Sequence, residues 1–157
     1  MNTKSNPPDW QVAQWFNTAM PLSLAALSGR AVILVAFQML CPGCVGHALP
    51  QLQRVRTAFK EADLAVVGLH SVFEHHAAQG TSEALSAFLK EYRITFPVGI
   101  DHPAGTGGLP ATMQAYQMRG TPTTLIYTRD GGLFTHHFGH IDDLNLGALL
   151  AQAIAIQ

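Results

Sequence analysis

The chain has 157 residues, 48% of them apolar, with 9 Lys and Arg against 10 Asp and Glu and a formal net charge of −1. That is the length of one ordinary domain, with enough apolar surface for a single packed core. Balanced charge without a basic run offers no footing for nucleic acid or an anionic membrane, and the longest apolar run is far too short to span a bilayer.

Residues 1–8 are polar and turn-rich and read as a loose tail without the apolar core of a signal peptide, so the expected location is cytoplasmic. Asp9–Phe16 reads as a short helix or an extended cover segment, and the chain divides into a tail and cover over 1–20 and one domain over 21–157. Pro21–Leu24 is a candidate strand, and Ala25–Gly29 a single turn. Ala31–Phe37 is apolar on both faces, as a central buried strand must be. A helix is predicted over 42–62, with Leu49, Leu52, Val55 and Phe59 at helical spacing and a bend at Pro50. Leu64–Leu69 is a second buried strand, 71–80 a loop or ragged helix start, and Ser82–Tyr92 a helix whose inward stripe is Leu85, Phe88 and Leu89. Phe96–Ile100 is a short strand, 101–110 a Gly- and Pro-rich loop, and Ala111–Tyr116 a short helix. Thr123–Tyr127 and Leu133–Phe138 form a hairpin around Asp130-Gly131, and a last helix starts at Asp142. Strands alternating with helices should pair parallel, and the terminal hairpin adds antiparallel strands.

The only two cysteines, Cys41 and Cys44, stand in Cys41-Pro42-Gly43-Cys44, between the first buried strand and the helix. A thiol at a helix start meets free backbone N–H groups and the positive end of the helix dipole, both of which favour a thiolate. A second thiol one turn on can attack the mixed disulfide formed by the first. Zinc would need about four ligands, and no second Cys pair exists, so no metal and no cofactor are expected at the dithiol.

This order of elements, with C-x-x-C opening the first long helix, resembles the thioredoxin fold: an α/β architecture with a central mixed β-sheet and helices on both faces. Tyr116–Tyr127, containing Gly120-Thr121-Pro122-Thr123, is similar to the stretch around thioredoxin's cis-proline. The lead-in Pro21–Arg30 and Phe96-Pro97-Val98 look more specifically like the cytochrome-maturation thiol–disulfide reductases and the redoxin branch that contains the peroxiredoxins. The resemblance implies a cis Thr121–Pro122 bond facing the cysteines, a substrate contact from Thr121, a protein disulfide as substrate and a thiol reductant as partner. It departs from thioredoxin in three places. Leu40 replaces the Trp before the first cysteine. Val35 replaces the buried strand Asp. Pro50 lies nine positions after Cys41, where thioredoxins have eight. With the strand acid missing, His70 and Glu74 are the candidate proton relays, and His47, three residues past Cys44, is a third.

Three functions stand at this point. The first is a thiol–disulfide oxidoreductase, with Cys41 attacking and Cys44 resolving. The second is a peroxidase, with Cys44 reacting with peroxide and Cys41 condensing with the sulfenic acid. The third is a redox-sensing or metal-handling protein, prompted by eight histidines and the cluster His136, His137 and His140. Leu40, Phe73, Phe96 and the Gly105–Gly108 loop are candidate walls of the cysteine site, with core packing the preferred reading for the aromatics.

Overall fold

The computed structural model describes residues 6–105 and 108–157; most of the tail and the middle of the Gly105–Gly108 loop lie outside them. Six strands form one sheet: β1 (Val12–Phe16), β2 (Ala31–Phe37), β3 (Leu64–His70), β4 (Val98–Asp101), β5 (Thr123–Tyr127) and β6 (Leu133–Phe138). Their spatial order is β1-β4-β3-β2-β5-β6. β2 pairs parallel with β3 and β3 with β4, while β1, β5 and β6 join antiparallel. The helices are α1 (Leu49–Ala58), α2 (His76–Gln79), α3 (Ser82–Glu91), α4 (Ala111–Ala115) and α5 (Asp143–Ala155). This is the mixed sheet, covered on both faces, that the order of elements led us to expect.

β2 is buried along its whole length, and its alternate side chains feed two cores. Ile33, Val35 and Phe37 pack with Leu52 and Val55 of α1, Leu85 and Leu89 of α3, and Leu146 and Leu150 of α5. Val32, Leu34 and Ala36 pack on the other side with Met113 of α4, Tyr116, Leu27 and Trp10. Three helices thus cover one face, while one short helix, a turn and the N-terminal segment cover the other.

Several local expectations are corrected. Residues 9–16 hold an edge strand and no helix: β1 pairs with β4, so the segment read as a cover contributes to the sheet itself. Pro21–Leu24 is not a strand. It enters a turn held by Leu27 N–H donating to the Ser23 carbonyl (3.1 Å) and Ala26 N–H to the Ser23 hydroxyl (3.0 Å), a use of serine that competes with strand pairing. The first long helix stops at Ala58, because Phe59 is extended. The loop over 71–80 carries the single helical turn α2.

The register of Pro50 is absorbed one turn earlier, where Cys44–Ala48 is π-helical and Leu49 N–H reaches back five residues to the Cys44 carbonyl. A π turn carries one residue more than an α turn, and one is the excess in the Cys41-to-Pro50 spacing. Pro50 then sits within the first two positions of α1, where a missing N–H costs little.

Candidate active site

Backbone register brings the site together. Phe37, the last residue of β2, stands beside His70, the last of β3. Ala36 stands beside Thr123, the first of β5, because β5 runs the other way. The chain leaving β2 toward Cys41, the end of β3 and the approach to β5 at Thr121-Pro122 therefore meet at one end of the sheet. The Thr121–Pro122 peptide is cis.

Cys41 occupies the cap of the helix. Pro42, with no N–H to lose, fills the next position, and the Cys44 N–H donates to the Cys41 sulfur at 3.3 Å, as it would to a capping serine. The Cys41 thiol in turn points at the Thr121 carbonyl, 3.5 Å away. A Cβ on Gly43 would lie 3.5 Å from the Pro122 ring, so the start of the helix rests against that proline. Both cysteines are free thiols, Cys41 half-buried and Cys44 buried. Burial, reinforced by the neighbouring Cys41 thiol, pushes the Cys44 thiol up to about 12, against a partial lowering by the Gln38 backbone and the Thr121 side chain.

The three relay candidates separate. His70 is 2% exposed, and burial lowers it to about 4, so it is neutral at pH 7. Its Nε2 accepts from the Met39 N–H at 3.3 Å, which places the ring proton on Nδ1. Glu74 is exposed, and Gln38 Nε2 approaches its Oε1 at 3.5 Å. His47 is exposed, its ring standing 5.2 Å from that of His140. His136 and His137 each face a backbone carbonyl, of Tyr116 and His140. Among the described residues no three His, Cys, Asp or Glu side chains converge as a metal site requires. Leu40 is exposed at the mouth, Phe73 is half-buried against the second core, and Phe96 is buried in the first.

Sequence reasoning missed two glutamines. Gln38 and Gln79 are both about 1% exposed. Gln38 Oε1 accepts from Phe73 N–H (3.2 Å) and from Gln79 Nε2 (3.0 Å), and its Nε2 lies 3.3 Å from the Thr121 hydroxyl. Gln79 also donates to the Glu74 carbonyl (2.7 Å) and accepts from the Leu40 N–H (3.0 Å). A polar residue directly after a fully apolar strand was the available signal for Gln38; nothing local marked Gln79.

The comparisons agree with this architecture. The model of the AhpC/TSA family matches residues 6–134. A crystal structure of a thioredoxin-like superfamily protein is 53% identical over 97% of both chains, with a TM-score of 0.93. A thiol-disulfide isomerase from Corynebacterium glutamicum is 39% identical over 100% of both chains, also with a TM-score of 0.93. A putative thiol:disulfide interchange protein DsbE from Chlorobium tepidum, 20% identical over 95% of this chain and 99% of its own, shares the fold with a TM-score of 0.69. No curated protein matches significantly. With 129 consecutive residues covered by the family model and two full-length relatives above the level at which a shared fold implies shared descent, the chain belongs to the AhpC/TSA family, on its thioredoxin-like, thiol–disulfide oxidoreductase side.

Proposed function

We propose that the protein exchanges its Cys41–Cys44 dithiol with disulfides of other proteins, acting as their reductant in the cytoplasm and being returned to the dithiol by a separate thiol donor. The observation that carries this is the division of labour between the two thiols: Cys41 half-buried at the helix cap beside the Thr121 backbone, and Cys44 buried behind it. Cys41 attacks a substrate disulfide, forming a bond to one sulfur and releasing the other as a thiolate. Cys44 then attacks the Cys41 sulfur. Its S–H bond and the mixed disulfide break, the intramolecular disulfide forms, and the second substrate sulfur leaves with the electron pair and the proton. The Thr121 carbonyl beside Cys41 marks the backbone against which a substrate peptide can lie while this happens.

Cys44 supports this direction. A Cys44 thiol pushed up to about 12 adds no thiolate of its own at neutral pH to stabilise the reduced state. The same burial argues against peroxide attack at Cys44, because thiolate and access are what that chemistry needs.

The test is reduction of insulin disulfides with dithiothreitol as the thiol donor. Cys41→Ser is expected to abolish turnover. Cys44→Ser is expected to stop at a mixed disulfide with the substrate, visible by mass, while neither variant nor the unaltered protein consumes hydrogen peroxide at a catalytic rate. A Cys41→Ser protein that turned over at the original rate would refute the assignment.

A further inference from the structure

The contacts described around Cys41 do not choose among substrates by charge. Its thiol meets the Thr121 carbonyl and the Cys44 N–H, Pro42-Gly43 separates the two sulfurs, and the preceding Leu40 is apolar. A charged group is nonetheless fixed beside them. Phe73 N–H, a backbone donor, determines which end of the Gln38 amide is oxygen, so the other end is the donor nitrogen. That nitrogen lies 3.3 Å from the Thr121 hydroxyl and 3.5 Å from Glu74 Oε1. The Glu74 carboxylate thus stands within two hydrogen-bond lengths of the residue whose carbonyl faces Cys41. Its backbone is held as well. Gln79 donates to the Glu74 carbonyl at 2.7 Å and accepts from the Leu40 N–H at 3.0 Å, which ties residues 74–79 to the residue before Cys41. Glu74 is exposed and forms no ion pair among the described residues. Arg119, two residues before Thr121, stands over the Phe138 ring instead, 5.5 Å from its centre.

We propose that Glu74 is a specificity-determining residue that selects disulfides flanked by lysine or arginine. This rests on the dithiol reading and names its substrate class. A peptide lying against Thr121 carries the side chains beside its own cysteine past the Glu74 carboxylate. A basic side chain there finds an acid without a partner of its own, already steadied by Gln38 at its head and Gln79 at its backbone. The ordering that weakens most surface ion pairs is then needed from one partner more than from the other. An acidic side chain meets like charge. Both groups stay in contact with water, so the preference is modest and sensitive to salt.

Three disulfide-linked peptide homodimers test this: Gly-Lys-Cys-Lys-Gly, Gly-Ser-Cys-Ser-Gly and Gly-Glu-Cys-Glu-Gly, each offered to the reduced protein while release of peptide thiol is followed. Each rate is divided by that of dithiothreitol with the same dimer, which removes the effect of the flanking charge on the leaving thiol. At low salt the Lys dimer is expected to lead the Glu dimer about fivefold, the upper worth of an exposed ion pair, with the Ser dimer between them. Glu74→Gln should bring that ratio to about one, as should high salt with the unaltered protein, and Glu74→Lys should invert it. An unchanged ratio in Glu74→Gln, even with all three rates lowered, would reduce Glu74 to loop scaffolding and overturn the proposal. So would a Glu74→Lys protein that still favoured the Lys dimer, or equal rates for the Lys and Glu dimers in the unaltered protein. If Glu74→Lys does not fold, Glu74→Gln and the salt dependence decide by the same criteria. Absence of exchange with all three dimers would refute the dithiol reading itself, a result distinct from exchange without preference.

Discussion

His70 shows how a single ring couples the site to solvent pH. It ends β3, stacks beside Phe37 with ring centres 5.2 Å apart, and accepts the Met39 N–H two residues before Cys41. Folded, it titrates near 4; unfolded, a histidine titrates near ~6.5. As pH falls, the unfolded chain takes up this proton first. The contribution of His70 to stability is therefore complete above pH ~6.5, declines below it, and is fully lost once pH passes below the folded value, a change of about 3 kcal/mol. Asp101, buried and raised, works in the opposite sense and is common to any comparison of His70 variants. Urea titrations of the protein and of His70→Phe at pH 7, 5.5 and 4 should show a steep decline in the first and a shallower one in the second; parallel curves would remove His70 as the cause. His70 was legible in the sequence as a residue near the dithiol. Its neutral state at pH 7 was not, because burial is a property of the packed ends of β2 and β3.

At the scale of the element, the first helix carries the clearest lesson. Its existence, its start at Pro42 and its inward residues Leu49, Leu52 and Val55 follow from periodicity alone. The π turn does not, since a one-residue excess can be absorbed anywhere in a helix and only packing decides where. Here both ends are pinned, Cys44 in the core below and Leu49 with Leu52 above, so the slack falls between them. Gly46 lies in that turn, with open space where a Cβ would stand. Gly46→Ala should therefore stabilise the protein by about 0.5–1 kcal/mol, by restricting the unfolded chain. Thermal unfolding would detect this, and a lower midpoint would mean that the π turn needs glycine. Strands behaved differently from helices in the sequence. β2 and β3 announce themselves as unbroken apolar runs. β1 does not, because Val12-Ala13-Gln14-Trp15-Phe16 has no alternation and its partner β4 is 82 residues or more away.

For the whole molecule, the resemblance carried the fold, and the two glutamines escaped because their hydrogen bonds form only once residues 38–40, 73–79 and 121 converge. The thinner face of the sheet raises a separate issue. Among the described residues, α4 is the one helix that covers it, with a turn, Phe73 and the N-terminal segment, and the residues before β1 are joined to it by a relay of side-chain groups. Trp10 Nε1 donates to the Tyr127 hydroxyl (3.0 Å), Tyr127 to the Tyr116 hydroxyl (2.9 Å), and Tyr116 to the Pro8 carbonyl (2.6 Å). Burial raises the pKa of both phenols, so they remain neutral donors throughout the physiological range. Deleting residues 1–10 would leave this relay open at each end and is expected to cost about 1–3 kcal/mol in chemical denaturation. Loss of nothing measurable would show that water closes it equally well. Residues 6–10 thus act as a buckle across the thinner side of the protein, and an affinity handle or fusion joined upstream would pull on the same fastening that keeps the second core dry.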